Sequence, residues 1–411
     1  MSDLVGTFSP ELWTCSSTKS LIVSIDDTNG CFKFNPIFTY PIFGDAEQIF
    51  GYKNLKIELK FDSINYLPFL EVKFDEKLNN KQIEDPVLKL KEFLPSSVIV
   101  QDENKWIHQS LKENELASKD NFIDNLLKEL VKIHEYENNG KQYELFKGKL
   151  KNLRLLEFHK RIQIFVLLFI EAGSYIDEND DNWDYYFLFE RQSSQLNKLV
   201  GFCTAYSYWK YPGFKEYDNL SESQLLENKF YKRIKISQFL ILPPYQNQRH
   251  GFKLYNSLFD YWFKDEFIQE ITIEDPSERF DDLRDKCDLI RLSSTKINLI
   301  SSKNLNFAKI NSSNWLADKQ RENKMEKRQF LRCIEMGLVY WKQRLHLSER
   351  ELRLFVKRRL YEKNKDALDS LEDPSERKNL LEIAYERVKK DYERLLEGLE
   401  LENNKRSIDE S

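Results

Sequence analysis

The chain has 411 residues, 32 % of them charged and 14 % aromatic, and 63 basic against 68 acidic side chains give a net charge of −5. So many large apolar side chains argue against a disordered polymer, and the near balance of charge argues against the basic excess of a broad nucleic-acid binder. Five cysteines, Cys15, Cys31, Cys203, Cys287 and Cys333, lie scattered without a Cys-x-x-Cys pair, which argues against a disulfide framework or a structural zinc site and points to a reducing compartment.

The N-terminus has no basic region followed by an apolar run, so no signal peptide is expected. The apolar run 164–170 is too short to span a bilayer. Residues 1–150 are expected to form a mixed α/β domain. Segments 20–25, 32–43, 55–61 and 69–74 alternate or are rich in β-formers between turn residues. Segment 121–136 carries Phe122, Leu126, Leu127, Leu130 and Ile133 at helical spacing. Residues 151–300 change character. Segment 152–176 reads as one long helix, apolar on most sides near 165–170 and therefore buried. Strands are expected at 185–190 and 200–209, joined by a polar turn at 191–198. A loop at 212–228 follows, then a strand at 232–242 closed by Pro243 and Pro244. A helix at 251–263, a strand at 267–273 and a helix at 277–287 capped by Ser277 complete the region. Residues 301–411 are helical in pattern, near 315–344, 349–366 and 375–401.

The chemistry is expected between Lys235 and Lys286, which reads strand, proline turn, polar loop, helix, strand, acidic pair, helix. The loop Gln246-Asn247-Gln248-Arg249-His250-Gly251 places several backbone N–H groups at the start of a helix. Unsatisfied donors and the helix dipole favour a phosphate there, although such a loop alone is also an ordinary connection. The order of elements resembles the acetyl-CoA-binding core of the GCN5-related N-acetyltransferase superfamily. That superfamily's loop is written Gln/Arg-x-x-Gly-x-Gly/Ala. Gln246 and Gly251 match it, and Arg249 stands at its first glycine. A side chain then occupies space the glycine leaves open, and the guanidinium either points outward or meets a phosphate.

Longer segments sharpen the likeness. FTYPIFGDAEQIFGYK (38–53), RIQIFVLLFIEAGSYID (161–177), ISQFLILPPYQNQRHG (236–251) and ITIEDPSERFDDLRD (271–285) resemble the type B histone acetyltransferases. The likeness spans roughly residues 5–290 and weakens through 300–411. It implies a mixed α/β N-terminal domain (1–150), a central acetyltransferase fold with a mixed sheet flanked by helices (151–300), and a helical C-terminal region (301–411). It further implies acetyl-CoA as co-substrate with no metal, and the tail of newly made histone H4 as acceptor. A WD-repeat histone-binding subunit is the implied partner, with neither membrane nor nucleic acid, in cytoplasm and nucleus. Phe239, Leu240 and Ile241 would offer backbone groups to the pantetheine arm and the thioester carbonyl. Gln246, Asn247, Gln248, Arg249, His250, Gly251 and Phe252 would cradle the pyrophosphate. Ser277 stands where the family places a polar contact, and Lys286 where an arginine on the phosphates is expected; lysine keeps the charge without the bidentate fork.

Attack on a thioester needs a neutral amine, and a free lysine is only about 0.1 % neutral at pH 7, so a carboxylate base is required. The resemblance favours Glu274, with Asp275 and Glu171 as helpers or substitutes. Asp275 is equally well read as a turn or cap residue. Glu171 is expected on the buried apolar helix, where desolvation suits a base, or as a buried carboxylate held by a cation. Asp45 and Glu47, after the Gly44 turn, either face a lysine-rich tail or are solvated. Tyr208 and Trp209 either cover the stem of a substrate lysine or pack in the core. The hexapeptide Glu-Asp-Pro-Ser-Glu-Arg occurs at 274–279 and again at 372–377; only the first copy follows a strand, so chemistry is assigned to it alone. His108, His134, His159 and His346 form no ligand pair, and Lys357-Arg358-Arg359 reads as a solvated face. Tyr211, Phe214, Tyr217, Leu220, Leu225 and Leu226 make loop 212–228 either a docking site for the WD-repeat partner or part of the domain's own core. A non-catalytic scaffold that binds acetyl-CoA or histones is the competing function, prompted by Arg249. A small-amine acetyltransferase would not need such large flanking regions.

Overall fold

The computed structural model describes residues 9–401 except 28–29, 116–120, 192–196, 212–217, 222, 225–230 and 311–312. Alternation builds the first sheet. Lys56–Asp62 buries every second residue, the pattern of a strand with one face on a core. This strand (β3) lies in a five-stranded sheet with Leu21–Asp27 (β1), Gly30–Phe34 (β2), Pro68–Lys73 (β4) and Ile99–Val100 (β5), in the order β2-β1-β3-β4-β5. β1 runs parallel to β3, while β3 and β4 are antiparallel. The strand expected over 32–43 stops at Phe34. Pro36 and Pro41 have no N–H to donate to a ladder, and Tyr40–Phe43 is a helical turn instead.

The helix expected over 121–136 is shorter. Phe122–Glu129 (α1) is capped by the Asn121 side chain, which accepts from Asp124 N at 2.9 Å. The chain then turns into a hairpin of Val131–Asn138 (β6) and Lys141–Gly148 (β7). Its reversal is Asn139-Gly140, with φ of +51° and +74°, the pair a two-residue type I′ turn demands. The long helix expected over 152–176 is interrupted at Gln163, giving Leu153–Ile162 (α2) and Ile164–Phe169 (α3). It ends because Ile170 turns extended and Gly173 folds back on the last turn, where a Cβ would lie 2.6 Å from the Val166 carbonyl oxygen.

β6 and β7 open a six-stranded sheet that continues through Trp183–Arg191 (β8), Lys198–Trp209 (β9), Lys232–Ile241 (β10) and, after the helix His250–Phe263 (α4), Ile268–Ile273 (β11), in sequence order. β6 to β9 are antiparallel. β10 and β11 run the same way: Lys232 N donates to Phe267 O at 2.7 Å and Thr272 Oγ1 to Ile234 O at 3.2 Å. α2 packs on β8, with Phe158 5.8 Å from Phe187 and 6.1 Å from Phe189. Each ring buried there contributes roughly 1.5–3 kcal/mol. One apolar core joins this packing to the first sheet, from Leu21 to Leu242.

The chain divides into two compact units, one holding the described residues through Ser207 with Ile236–Leu254, the other holding Tyr208–Lys235 with the described residues from Tyr255 on. The hairpin at 131–148 pairs with β8, and the later helices share polar contacts with Glu278–Ser293 (α5). In the second unit Lys327–Trp341 (α6), Glu349–Lys363 (α7) and Pro374–Leu396 (α8) close around Glu335, which has no exposed surface. The Arg359 guanidinium donates to both Glu335 oxygens at 2.8 Å, and the Tyr392 hydroxyl donates at 2.6 Å. Asp285 on α5 accepts from Gln329 at 3.0 Å and from Arg332.

Arg359→Leu leaves the Glu335 carboxylate buried without its cation, at a cost of roughly 3–5 kcal/mol; the urea midpoint of the transition that reports on the second unit is expected to fall accordingly. His159 is buried against the edge of Tyr185 at 4.8 Å, and burial pushes its imidazole down to about 3. The unfolded chain therefore binds a proton that the folded chain refuses, so stability is lost as pH falls from about 6.5 towards 3. His159→Gln is expected to show a shallower fall in thermal midpoint between pH 7 and pH 4.5 than the parent.

Candidate active site

In the first unit, a strand, a loop and the head of a helix follow one another without interruption. β10 buries Ile234, Ile236, Gln238 and Leu240 on alternate positions. β11 has ended at Ile273 by the level of Lys235, whose ammonium bonds Glu274, and β10 goes on from there to Ile241. Phe239, Leu240 and Ile241 therefore belong to its terminal stretch. Pro243–Tyr245 makes one 3-10 turn. The Gln246 amide then donates back to Ile241 O at 2.8 Å, and the Gln248 amide to Pro244 O at 3.0 Å. Asn247 and Arg249 adopt left-handed backbone, φ +61° and +66°. Asparagine tolerates that region; arginine there costs roughly 1–2 kcal/mol. This is why glycine suits position 249, and the Arg249 side chain is exposed. α4 begins at His250, and Arg249 O accepts its first helical bond, from Lys253 N at 3.1 Å. The amides of His250, Gly251 and Phe252 thus fall in the first turn of α4, where a helix offers donors and positive potential to an anion.

His250 is buried. Its Nδ1 lies 2.9 Å from the Tyr136 hydroxyl, and its ring 4.5 Å from Tyr143. Burial holds the imidazole down at about 4, so it is neutral at physiological pH. It is a packing element of the loop, not a cation for phosphate.

Three further segments gather in the same unit. The Glu47 Oε1 accepts from Thr39 N at 2.5 Å, Thr39 Oγ1 at 2.9 Å and Tyr40 N at 3.1 Å. One oxygen of Glu47 thereby caps the helical turn Tyr40–Phe43, a structural task that the reading of Glu47 as a substrate contact does not foresee. Asp45 is exposed. The Tyr40 hydroxyl accepts from Ala172 N at 2.6 Å, and Ser174 O accepts from the Gln238 amide at 2.8 Å. The turn carrying Glu171 is thus tied on one side to the segment of Asp45 and Glu47, and on the other to β10. Glu171 itself lies beyond α3 and is exposed, which corrects the expectation of a carboxylate buried on an apolar helix.

The second unit holds the other candidates. Glu274 follows β11, is exposed and pairs with Lys235. Asp275 has φ +33°, a turn backbone that fits its alternative role as a turn residue. Ser277 caps α5, its hydroxyl accepting from Phe280 N at 3.3 Å. Lys286 lies on α5 and is partly exposed. The Tyr208 hydroxyl accepts from Arg233 at 3.3 Å, and Arg233 also pairs with Glu270. Trp209 is 43 % exposed and meets Tyr211 edge-on at 5.6 Å, so it is not core. Phe214, Tyr217, Leu225 and Leu226 of loop 212–228 lie outside the described residues. Tyr136, Asn138, Tyr40 and Gln238 support the site without having been singled out in the sequence. The Asn-Gly turn was the available signal for the first two.

Three family models match the chain: "Histone acetyl transferase HAT1 N-terminus" over residues 13–171, "Acetyltransferase (GNAT) family" over 153–280, and "Fungal HAT1, C-terminal" over 285–343. The chain is 44 % identical over 408 residues to the histone acetyltransferase type B catalytic subunit of Debaryomyces hansenii, covering 98 % of this chain and 94 % of that protein. It is 44 % identical over 391 residues to the subunit so named in Kluyveromyces lactis, covering 94 % and 93 %. For Candida albicans the identity is 41 % over 420 residues, covering 100 % and 95 %. Among solved structures, an aminoglycoside acetyltransferase from a soil metagenome matches at 15 % identity over 34 % of this chain and 80 % of that one, with a TM-score of 0.24, too slight a likeness to bear on the fold.

Glu47→Ala removes a side-chain cap and is expected to cost about 1 kcal/mol of stability, read as a lower thermal midpoint. Asp45→Lys is expected to leave the midpoint in place, since Asp45 is exposed.

Proposed function

The chain belongs to the family of type B histone acetyltransferase catalytic subunits, and from that premise we propose that it acetylates lysine side chains in the N-terminal tail of newly synthesised, free histone H4. The observation that carries the reading is loop 246–251 at the head of α4, with its backbone left-handed at Asn247 and Arg249. Acetyl-CoA, when bound, supplies the thioester as acyl donor. Donor chemistry in this chain suits it: first-turn amides from His250 to Phe252 for the pyrophosphate, and the backbone of Phe239, Leu240 and Ile241 for the amide-bearing pantetheine arm. Ser277 is assigned to a polar contact with the cofactor, and Lys286 to its phosphates. Arg249 takes the backbone a glycine would take and exposes its side chain, which weakens the ground for a non-catalytic scaffold.

Glu274 is assigned as general base. Its carboxylate is paired with the Lys235 ammonium, which fixes its position at the end of β11. It removes a proton from the substrate ammonium, directly or through water, and leaves the neutral amine able to attack. Asp275 and Glu171 remain reserves for that role. Asp45 is assigned to the basic tail, together with the oxygen of Glu47 that does not cap, and Tyr208 and Trp209 to the stem of the acceptor lysine. The same reading assigns a WD-repeat histone-binding subunit as partner, docked on loop 212–228, and residence in both cytoplasm and nucleus.

The test is incubation with acetyl-CoA and a histone H4 tail peptide, followed by mass spectrometry. Acetylated peptide is expected with the parent chain; none from a folded, acetyl-CoA-binding protein would sink the reading. Glu274→Gln is expected to lower kcat at neutral pH by roughly 10²–10⁴, leave acetyl-CoA affinity unchanged, and recover part of the rate at high pH, where more amine is neutral. Near-normal turnover would pass the role to Asp275 or Glu171.

A further inference from the structure

Arg249 is flanked by two residues that a distant hairpin holds. On one side the Asn138 amide donates to Gln248 O at 3.0 Å. On the other the Tyr136 hydroxyl meets His250 Nδ1 at 2.9 Å. Both partners come from β6. Tyr136 and Tyr143 are directly opposed across the β6–β7 pair and stack at 5.2 Å, and the His250 ring lies 4.5 Å from Tyr143. The Tyr143 hydroxyl donates to Glu190 at 3.4 Å, and Lys141 also bonds Glu190, at 2.9 Å. Lys253, in the first turn of α4, sits over the Tyr136 ring at 5.9 Å. The hairpin itself is stiff, since it is closed by a type I′ turn and paired to β8 along β7.

A backbone at φ +66° persists in an arginine only where the surroundings over-determine it. Glycine would hold that conformation unaided. Within the loop, the Gln246 and Gln248 side-chain amides bond back to the preceding strand and turn, and Lys253 N holds the Arg249 carbonyl from the first turn of α4 at 3.1 Å. The hairpin adds two restraints from outside the loop and its helix, fixing the carbonyl before Arg249 and the ring after it.

We propose that the β6–β7 hairpin is a brace that sets the loop's affinity for the diphosphate of acetyl-CoA, with Tyr136 and Asn138 as positioning residues acting through His250 and Gln248. The proposal rests on the reading of loop 246–251 as the cofactor loop. It assigns the hairpin a function beyond the fold: the cofactor site is tuned from outside the loop that touches the cofactor. Tyr136→Phe keeps the ring on Tyr143 and beneath Lys253 and removes only the hydroxyl; Asn138→Ala removes the other tie.

The experiment is calorimetric titration of the full chain with CoA, alongside steady-state kinetics on the histone peptide. Each single variant is expected to raise the Kd for CoA and the KM for acetyl-CoA about fivefold, the loss of one net hydrogen bond. kcat at saturating acetyl-CoA and KM for the peptide should stay at parent values, a split that general destabilisation does not produce. Arg249→Gly placed on Tyr136→Phe is expected to restore most of the lost affinity relative to Arg249→Gly alone, because glycine needs no brace. Parent-like Kd in both single variants overturns the brace, as does a rise in Kd accompanied by an equal loss of kcat and no recovery with glycine. Failure of the parent chain itself to bind CoA overturns the cofactor-loop reading, and the brace falls with it.

Discussion

A Cβ at Gly201 would lie 2.5 Å from the Leu240 carbonyl oxygen and 2.8 Å from the Ile241 Cδ1. The bare backbone of β9 at Gly201 lies against the backbone and the Ile241 side chain of β10, and Leu242 N closes the contact on Val200 O at 2.9 Å. Any side chain at 201 would have to push β10 away. The rest of the site depends on that approach, because it fixes where β10 ends. Strand register has period two, and a slip of one residue would turn Gln238 and Leu240 outward. Gln238 would then lose Ser174, and the turn of Glu171 would lose its tie to the strand. The proline turn would start one residue off, and Gln246 would no longer reach the Ile241 carbonyl. The head of α4 is aimed by a chain of short covalent and hydrogen-bonded steps from one place where glycine is required.

Segments whose periodicity answers to one cause were legible in the sequence. β3, β4, β8, β10 and α4 are bounded by prolines or polar turns and bury a single face or both, so pattern and structure coincide. The hairpin was not legible through periodicity. Phe122, Leu126, Leu127 and Leu130 establish a helical stripe, and Ile133 happens to extend it past the true end at Glu129. The turn signal Asn139-Gly140 outweighs that extension, since its two positive φ values suit nothing but a tight reversal. Glu171 misled for a related reason: an apolar run predicts burial of its own residues, not of the residue that follows it. The role of Glu47 was hidden because a cap is recognised by what it caps, and Thr39 and Tyr40 lie earlier in the chain. The Asn-Gly turn signals the hairpin, but nothing local signals its ties to loop 246–251, since Tyr136 and His250 are far apart in sequence.

Charge patterning shows the same limit from another side. Lys357, Arg358 and Arg359 look alike in sequence, but consecutive residues on a helix point about 100° apart. Lys357 reaches Glu382 on α8, Arg358 bonds Glu362 one turn on along α7, and Arg359 turns inward to the buried Glu335. Two of three cations in a run thereby tie α7 to another helix, and the carboxylates that reveal them lie on α8 and α6. The C-terminal helices are accordingly held by polar contacts that have to be satisfied together, with Tyr392 and Arg359 sharing the Glu335 oxygens.

The repeated hexapeptide separates local sequence from context most cleanly. In the copy at 372–377, Asp373 is the cap, its side chain accepting from Ser375 N at 2.7 Å, and Pro374 opens the helix. In the copy at 274–279, the cap moves two residues on to Ser277, Pro276 lies outside the helix, and Asp275 bends at φ +33°. The difference comes from what precedes. β11 delivers Glu274 at the end of a paired strand, beside Lys235 of β10, and the chain must turn before it can begin a helix. A short helix and a loop deliver Glu372, with no strand to leave. The same six residues therefore form a helix start in one place, and in the other a strand end, a turn and then a helix start. Only the second arrangement leaves a carboxylate at the end of a paired strand.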